Sequence, residues 1–149
     1  MQNNNKQIVI RPFAEKDYQG VIALWQLTGI PCKPEGRDSK EKILKEITNP
    51  GTLLLIAEQE GRVIGVVLAT HDYRKGWINR LAVQPEHQAR GLASRLLVEA
   101  ENHLYDCGME IITCLIEEYN RHSMDFFQHK GYVEHRDIIY FSKRKYPDV

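Results

Sequence analysis

Leu81-Ala82-Val83-Gln84-Pro85-Glu86-His87-Gln88-Ala89-Arg90-Gly91-Leu92-Ala93-Ser94 decides how this chain is read. Three apolar residues end a buried strand, Pro85 marks the exit, and a short loop opens directly into a helix. A helix N-terminus leaves about four backbone N–H groups unpaired and carries roughly half a positive charge, so it suits a diphosphate. Gly91 removes the side chain where a ligand would approach the backbone, and Ala93 and Ser94 keep the first turn clear. Arg90 can add a charge-assisted contact to phosphate. A strand–loop–helix junction with one glycine is common in α/β proteins, so its surroundings must carry the rest.

Upstream, Gln7 to Arg11 reads as a short β-branched strand followed by Pro12. Ala14 to Thr28 reads as a helix, with Val21, Leu24, Trp25 and Thr28 at helical spacing. The stretch from Gly29 to Gly36 holds two prolines and two glycines and cannot be regular structure. Asp38 or Ser39 is placed to cap a second helix running to about Thr48. Leu53 to Glu58 and Val63 to His71 read as strands joined by the hairpin signal Glu60-Gly61, and Trp77 to Val83 as the next strand.

Downstream, Leu92, Leu96, Leu97, Ala100 and Leu104 form one apolar stripe of a helix from about Gly91 to Cys107, with Gly108 just past its end. Ile111 to Ile116 is expected as a buried strand and Asn120 to Lys130 as a helix stopped by Gly131. Tyr132-Val133 and Ile138 to Ser142 are expected to complete the sheet. No repeat or internal linker breaks the pattern, so one domain over residues 1–149 is expected.

Composition narrows the partners. Twenty basic and twenty acidic residues give a formal net charge of zero, so no general attraction to nucleic acid or anionic membrane is expected. Cys32, Cys107 and Cys114 are odd in number and lack metal-ligand spacing, which suggests free thiols in a reducing compartment. His122, His129 and His135 form no helical i,i+4 pair, so no metal is expected. Met1-Gln2-Asn3-Asn4-Asn5-Lys6 is polar, without the apolar stretch of a signal peptide, and Val63 to Ala69 is too short to span a bilayer. A cytoplasmic location is the expectation.

Gln88 to Ala93 fits the pattern Q/R-x-x-G-x-G/A, which resembles the acetyl-CoA pyrophosphate loop of the GCN5-related N-acetyltransferases, the GNAT family. A second segment, Asn120 through Tyr132, resembles that family's N-x-x-A-x-x-x-Y-x-x-x-G-F, with Ser123 for alanine, Phe127 for tyrosine and Tyr132 for phenylalanine. The order of elements is similar to the family's along nearly the whole chain. The likeness is greatest to small bacterial members often labelled ribosomal-protein-alanine-acetyltransferase-like. The resemblance implies an α/β (α+β) fold of one GNAT-type domain, with a central mixed sheet splayed near the middle and helices on both faces.

The resemblance also implies roles. Leu81, Ala82 and Val83 would present backbone groups to the pantetheine arm, with one N–H facing the thioester oxygen as an oxyanion donor. Gln88, Ala89, Arg90, Gly91, Leu92, Ala93 and Ser94 would hold the pyrophosphate. Asn120 would contact the cofactor near the pantetheine, and Phe127 would sit close to its sulfur. For Leu81 and Val83 core packing is an equally natural use, and compatible with this one.

The chemistry sets further needs, because an amine attacks a thioester only as the free base. An α-amine with pKa near 7.8 is roughly one-seventh neutral at pH 7, and a lysine near 10.4 about one in 2,500. Glu118, with Glu117, follows the strand leading to Asn120 and is the expected general base, although a solvated loop carboxylate is the plainer reading. Leu115 stands where some members have a glutamate, and Asn79 cannot act as a base. Phe127 cannot donate a proton. Ser123, one turn earlier on the same helical face, is the expected substitute, with Tyr119 and Tyr132 as others; for Ser123 the plain reading is small packing.

On the acceptor side, the 29–37 loop reads as a lid bearing Lys33 and Arg37, and His71, Asp72 and Tyr73 end a neighbouring strand. An amine-bearing small molecule, a protein N-terminus or a lysine all fit, and a homodimer is compatible with the apolar run Ile138 to Phe141. The alternative is an acetyl-CoA-binding regulatory module without turnover. An unrelated nucleotide-binding protein is disfavoured, since neither G-x-G-x-x-G nor G-x-x-x-x-G-K-[ST] occurs.

Overall fold

A computed structural model describes residues 7–149; the Met1 to Lys6 segment and its signal-peptide reading lie outside the described residues. The apolar runs become strands β1 (Val9–Pro12), β2 (Leu53–Gln59), β3 (Arg62–His71), β4 (Gly76–Val83) and β5 (Ile112–Thr113). They form one mixed sheet in chain order, antiparallel except for the parallel β4–β5 pair. Helices α1 (Tyr18–Leu27), α2 (Lys40–Glu46), α3 (Leu92–Asp106) and α4 (Arg121–His129), with 3-10 turns at Glu15–Asp17 and Pro85–His87, complete the described elements.

Local chemistry explains the boundaries. Glu60 and Gly61, at φ 52° and 76°, make the left-handed two-residue turn that joins β2 to β3. Ser39 caps α2 by accepting from the Lys42 N–H. Gly108 at φ 90° ends the chain's helical course after α3.

Side chains alternate across the sheet and split the core in two. On one face the α3 stripe of Leu92, Leu96, Leu97, Ala100 and Leu104 packs on Leu55, Ala57, Val67, Ala69, Ile78 and Val83, and Phe127 of α4 joins this cluster. On the other, Val21, Ile22, Leu24 and Trp25 of α1 and Ile43 of α2 cover Leu54, Ile56, Val66 and Ala82. A Cβ at Gly65 would lie 2.9 Å from Leu96 Cδ1, so α3 rests almost on the β3 backbone.

One ion cluster ties the sheet edge to α1. Arg11 donates from Nη1 and Nη2 to Asp17 at 2.7 and 2.8 Å and from Nε to Glu58 at 2.8 Å. Asp17 also accepts the Ala14 N–H at 2.8 Å. The Arg11 hydrogen bond, opposed by desolvation, holds the Asp17 carboxyl below its ordinary pKa. A depressed folded pKa gives stability that is present above about pH 4 and lost as pH falls through the folded value. Asp17 is buried but Arg11 keeps partial solvent contact, so Asp17→Asn should cost about 2 kcal/mol at pH 7. Urea unfolding at pH 7 and pH 3 checks this: the gap between wild type and variant should shrink at the lower pH.

The end of the chain departs from the sequence pattern. The strand expected over 111–116 pairs only at Ile112 and Thr113, and Tyr132-Val133 and Ile138 to Ser142 carry no strand. A strand exists only where a neighbour takes its N–H and C=O groups. Among the described residues none does so there.

Candidate functional site

β4 pairs with β3 from Gly76 to Val83, interrupted by a bulge at Asn79, but with β5 only at Gly76 and Trp77. Past Trp77 that side of β4 has no strand beside it among the described residues, and the sheet opens. The Gln84 N–H donates to the Ile64 C=O at 2.8 Å. Antiparallel pairs alternate, so the Ala82 backbone is turned toward β3 and those of Leu81 and Val83 toward the opening. The Val83 carbonyl accepts from the Gln88 side-chain amide at 3.0 Å. That leaves the Leu81 and Val83 N–H groups as the donors aimed into the gap.

The loop between β4 and α3 is braced at both ends. Pro85–His87 forms a 3-10 turn, and His87 Nε2 lies 2.8 Å from Gln59 Oε1 on the β2–β3 hairpin. Ala89 and Gly91 then take left-handed φ values of 59° and 81°, on either side of Arg90. For Ala89 this costs about 1–2 kcal/mol, and strain of that kind concentrates at binding turns. Gly91 is the N-cap of α3, and no side chain caps that helix. The first-turn amides of Leu92, Ala93 and Ser94 are thus left for an anion. A Cβ at Gly91 would meet nothing within 4 Å, so the space over the helix end is open, and it is the backbone conformation that calls for glycine.

Beyond β5 the remaining candidates are less concentrated. Glu117 and Glu118 lie on an exposed turn between β5 and α4. Asn120 caps α4, its side-chain oxygen accepting from the Ser123 N–H at 3.2 Å. Ser123 is half-buried on the first turn of α4. Phe127 is buried in edge-to-face contact with Phe126 and Tyr132, at 5.2 and 5.0 Å between ring centroids. It shares its cluster with Val83, Leu92 and Leu96, which links α4 to the loop through the core. Tyr132 donates its hydroxyl to Glu101 of α3 at 2.9 Å, and burial together with that carboxylate pushes its pKa strongly up. Tyr132 is therefore held protonated and occupied, a structural phenol.

The opposite face holds a knot that sequence reasoning missed. Arg80 of β4 lies over the Trp25 ring at 4.2 Å. Its Nη2 donates to Asp38 Oδ2 at 3.1 Å, while Nη1 sits 2.9 Å from Oδ1, near enough for the charges though off-axis for a hydrogen bond. Asp38 is buried, accepts the Lys33 N–H at 2.6 Å, and gives its carbonyl to the Tyr18 hydroxyl. The 29–37 loop is thus anchored to the sheet at its end by a carboxylate. An arginine directly beside the apolar run Leu81-Ala82-Val83, in a strand, was the available signal. His71 is engaged locally, accepting the Tyr73 N–H at Nδ1.

Among the described residues no group of three His, Cys, Asp or Glu side chains is placed to hold a metal ion. No helix there is long and apolar enough to cross a membrane.

The sequence model of the acetyltransferase (GNAT) family matches residues 18–132. Among solved structures, the chain is similar to an aminoglycoside 6'-N-acetyltransferase, AAC(6')-Ih, from Acinetobacter baumannii, with TM-score 0.78, 20% identity, and 93% and 99% of the two chains covered. It is similar to the aminoglycoside N-acetyltransferase AAC(6')-Iy in complex with CoA, at TM-score 0.77, 21% identity, and 97% and 99% covered. It is also similar to the PaiA N-acetyltransferase of Thermoplasma acidophilum in complex with coenzyme A, at TM-score 0.70, 23% identity, and 83% and 88% covered. At these identities the likenesses establish the fold.

Proposed function

The chain belongs to the acetyltransferase (GNAT) family, and from that premise we propose that it moves acetyl from acetyl-CoA to a primary amine by direct attack in a ternary complex. The observation that carries this reading is continuity: the open side of β4 past Trp77 runs directly into a helix start with no side-chain cap. A pantetheine arm fits along the first and a pyrophosphate on the second.

In this reading the loop from Gln88 to Ser94 holds the pyrophosphate, Gln88 bracing it through hydrogen bonds to the Pro85 and Val83 carbonyls and Ala89 to Ser94 supplying backbone N–H groups, with Arg90 as a countercharge. Leu81, Ala82 and Val83 flank the arm, and the N–H of Leu81 or Val83 faces the thioester oxygen as a fixed oxyanion donor. Asn120 and Phe127 border the arm from α4. Acetyl-CoA, when bound, supplies the activated acetyl group. Glu118 takes the proton from the acceptor ammonium, and Ser123 relays one to the departing sulfur. A lysine needs far more help with deprotonation than an α-amine does, which supports an acceptor amine with pKa nearer 8 than 10.4. A small molecule, a protein N-terminus or an unusually acidic lysine meets that condition. The reading also takes residues 1–149 as one domain acting in the cytoplasm, without nucleic acid or membrane, and is compatible with a homodimer.

One observation favours a second reading, an acetyl-CoA-binding regulatory module. Phe127 stands where relatives carry a proton-donating tyrosine, and Tyr132 is committed to Glu101. Release of free CoA thiol from acetyl-CoA, measured across a panel of amines, separates the two. Saturable, amine-dependent release is the expected result. Tight acetyl-CoA binding with no amine-dependent release establishes the regulatory reading instead.

A further inference from the structure

Arg80 is the only charged residue of β4, and its side chain, 12% exposed, lies on the α1 face of the sheet. A guanidinium held that deep needs a fixed counter-charge, because removing either member leaves the other buried and unpaired. Its partner does not come from the sheet. Asp38, 7% exposed, sits in the segment that joins α1 to α2, directly after the 29–37 loop. The same carboxylate accepts the Lys33 N–H, and the Asp38 N–H donates to the Lys33 carbonyl at 2.9 Å. At the other end of the loop the Ile30 N–H donates to the Trp25 carbonyl at 2.9 Å, and Ile30 and Cys32 pack on the α1-side core. The loop is thus closed on itself and fastened to β4 at Arg80. Lifting it would strand two buried charges.

The fastening lies beside the opening in the sheet. The N–H that Leu81 turns into the gap belongs to the peptide bond between Arg80 and Leu81. One residue therefore carries the loop on its side chain and adjoins the donor on its backbone. Ala69 and Ile78 face the α3-side core, so the neighbouring pair Thr70 and Trp77 faces the other way. Both are half-buried, and Asn79, bulged out of the ladder, is exposed and donates to Thr70 Oγ1 at 2.8 Å. The opposite face is closed by α3 and by Phe127 of α4. The approach left to an amine is over Thr70, Trp77 and Asn79, on the face that carries the 29–37 loop.

Resting on the acetyl-transfer reading, we propose that Arg80 is a positioning residue for the acceptor. Through Asp38 it holds the 29–37 loop as a fixed wall of the amine site, in register with the Leu81 N–H, rather than as a lid that moves. Fixed geometry between two reactants supplies much of the acceleration of a two-substrate step. A loosened wall therefore costs the amine its orientation and leaves the CoA site at the start of α3 as it was.

Arg80→Met keeps an apolar stem over Trp25 and removes the charge, and Asp38→Asn removes the charge it faces. CoA thiol release is measured with glucosamine, alaninamide and 1,4-diaminobutane, and the comparison uses the amine that wild type turns over. Each variant should lower kcat/KM for that amine at least tenfold, while acetyl-CoA affinity stays within twofold of wild type. The double variant should be no worse than the worse single, because both act through one contact. Arg80→Lys keeps the charge without the planar fork and should fall between; it stands in if Arg80→Met does not fold. Hydrogen exchange needs no amine, and the Lys33 and Asp38 amides should exchange at least tenfold faster in Arg80→Met, with β2 and β3 unchanged. An unchanged amine kcat/KM, equal losses for amine and acetyl-CoA, single losses that multiply in the double variant, or unchanged exchange overturns the role given to Arg80. If wild type releases no CoA in response to any amine while the exchange result holds, the acetyl-transfer reading falls, and the acceptor role with it.

Discussion

Gly91→Glu should weaken acetyl-CoA binding more than a hundredfold while leaving a folded protein. Two effects of the substitution separate cleanly. The first is conformational: Gly91 sits at φ 81°, so any side chain there costs about 1–2 kcal/mol of stability. The second is electrostatic. Nothing lies within 4 Å of the position a Cβ would take, so the glutamate is accommodated without a clash and projects its carboxylate over the α3 amides. A carboxylate about 4 Å from a phosphate charge costs up to roughly 4 kcal/mol at an effective dielectric constant of 20, against 1.4 kcal/mol for each tenfold in affinity. Gly91→Ala pays only the first cost and should lose less than tenfold in affinity. Calorimetric titration of both variants checks the difference, and equal losses would locate the anion elsewhere.

Leu96→Ala should produce the largest loss of stability, about 4 kcal/mol. Leu96 is fully buried at the centre of the α3 stripe, and its Cδ1 fills the space left by the missing side chain of Gly65. A β-carbon at residue 96 cannot reach that glycine, and close packing leaves the cavity unrelaxed. At about 2–4 °C per kcal/mol for a chain of this size, the melting midpoint should fall by roughly 8–16 °C. Well below the new midpoint, acetyl-CoA affinity should stay within a few-fold of wild type, because the loop and helix start are local structures braced by Gln88 and His87. A small thermal effect would mean that the α3–β3 seat is loosely packed.

Where sequence and structure agree, the information was local. The α3 stripe and its flanking glycines place that helix within a residue of its observed ends. Glu60-Gly61 fixes a hairpin because only left-handed residues close a two-residue turn with the right twist. Where they part, the information was non-local. Asp38 and Ser39 both read as candidate caps; Ser39 takes that role on α2, while Asp38 binds Lys33 and, 42 residues away, Arg80. Nothing between those positions encodes their meeting. Ile138 to Ser142 has a strand's composition, but composition does not supply the neighbour a strand needs, and among the described residues none pairs with it. Within the site, the Q-x-x-G-x-A loop is legible because one glycine sets the backbone. The phase that turns Leu81 and Val83, rather than Ala82, toward the opening depends on pairing with β3 and is visible only in the fold. The Glu101 partner that occupies Tyr132 was likewise out of reach, since it lies 31 residues upstream on another helix.

The most direct test of the central claim is a thermal-shift titration of the wild-type protein with acetyl-CoA, CoA, ATP and NAD. A ligand that binds only the folded state at about a hundred times its Kd stabilises by roughly 2.7 kcal/mol, which at this size raises the midpoint by about 5–10 °C. The predicted result is a shift of that order with acetyl-CoA and CoA and none with ATP or NAD at equal concentration. No shift with either CoA species, or equal shifts with all four ligands, would contradict a CoA site at the start of α3.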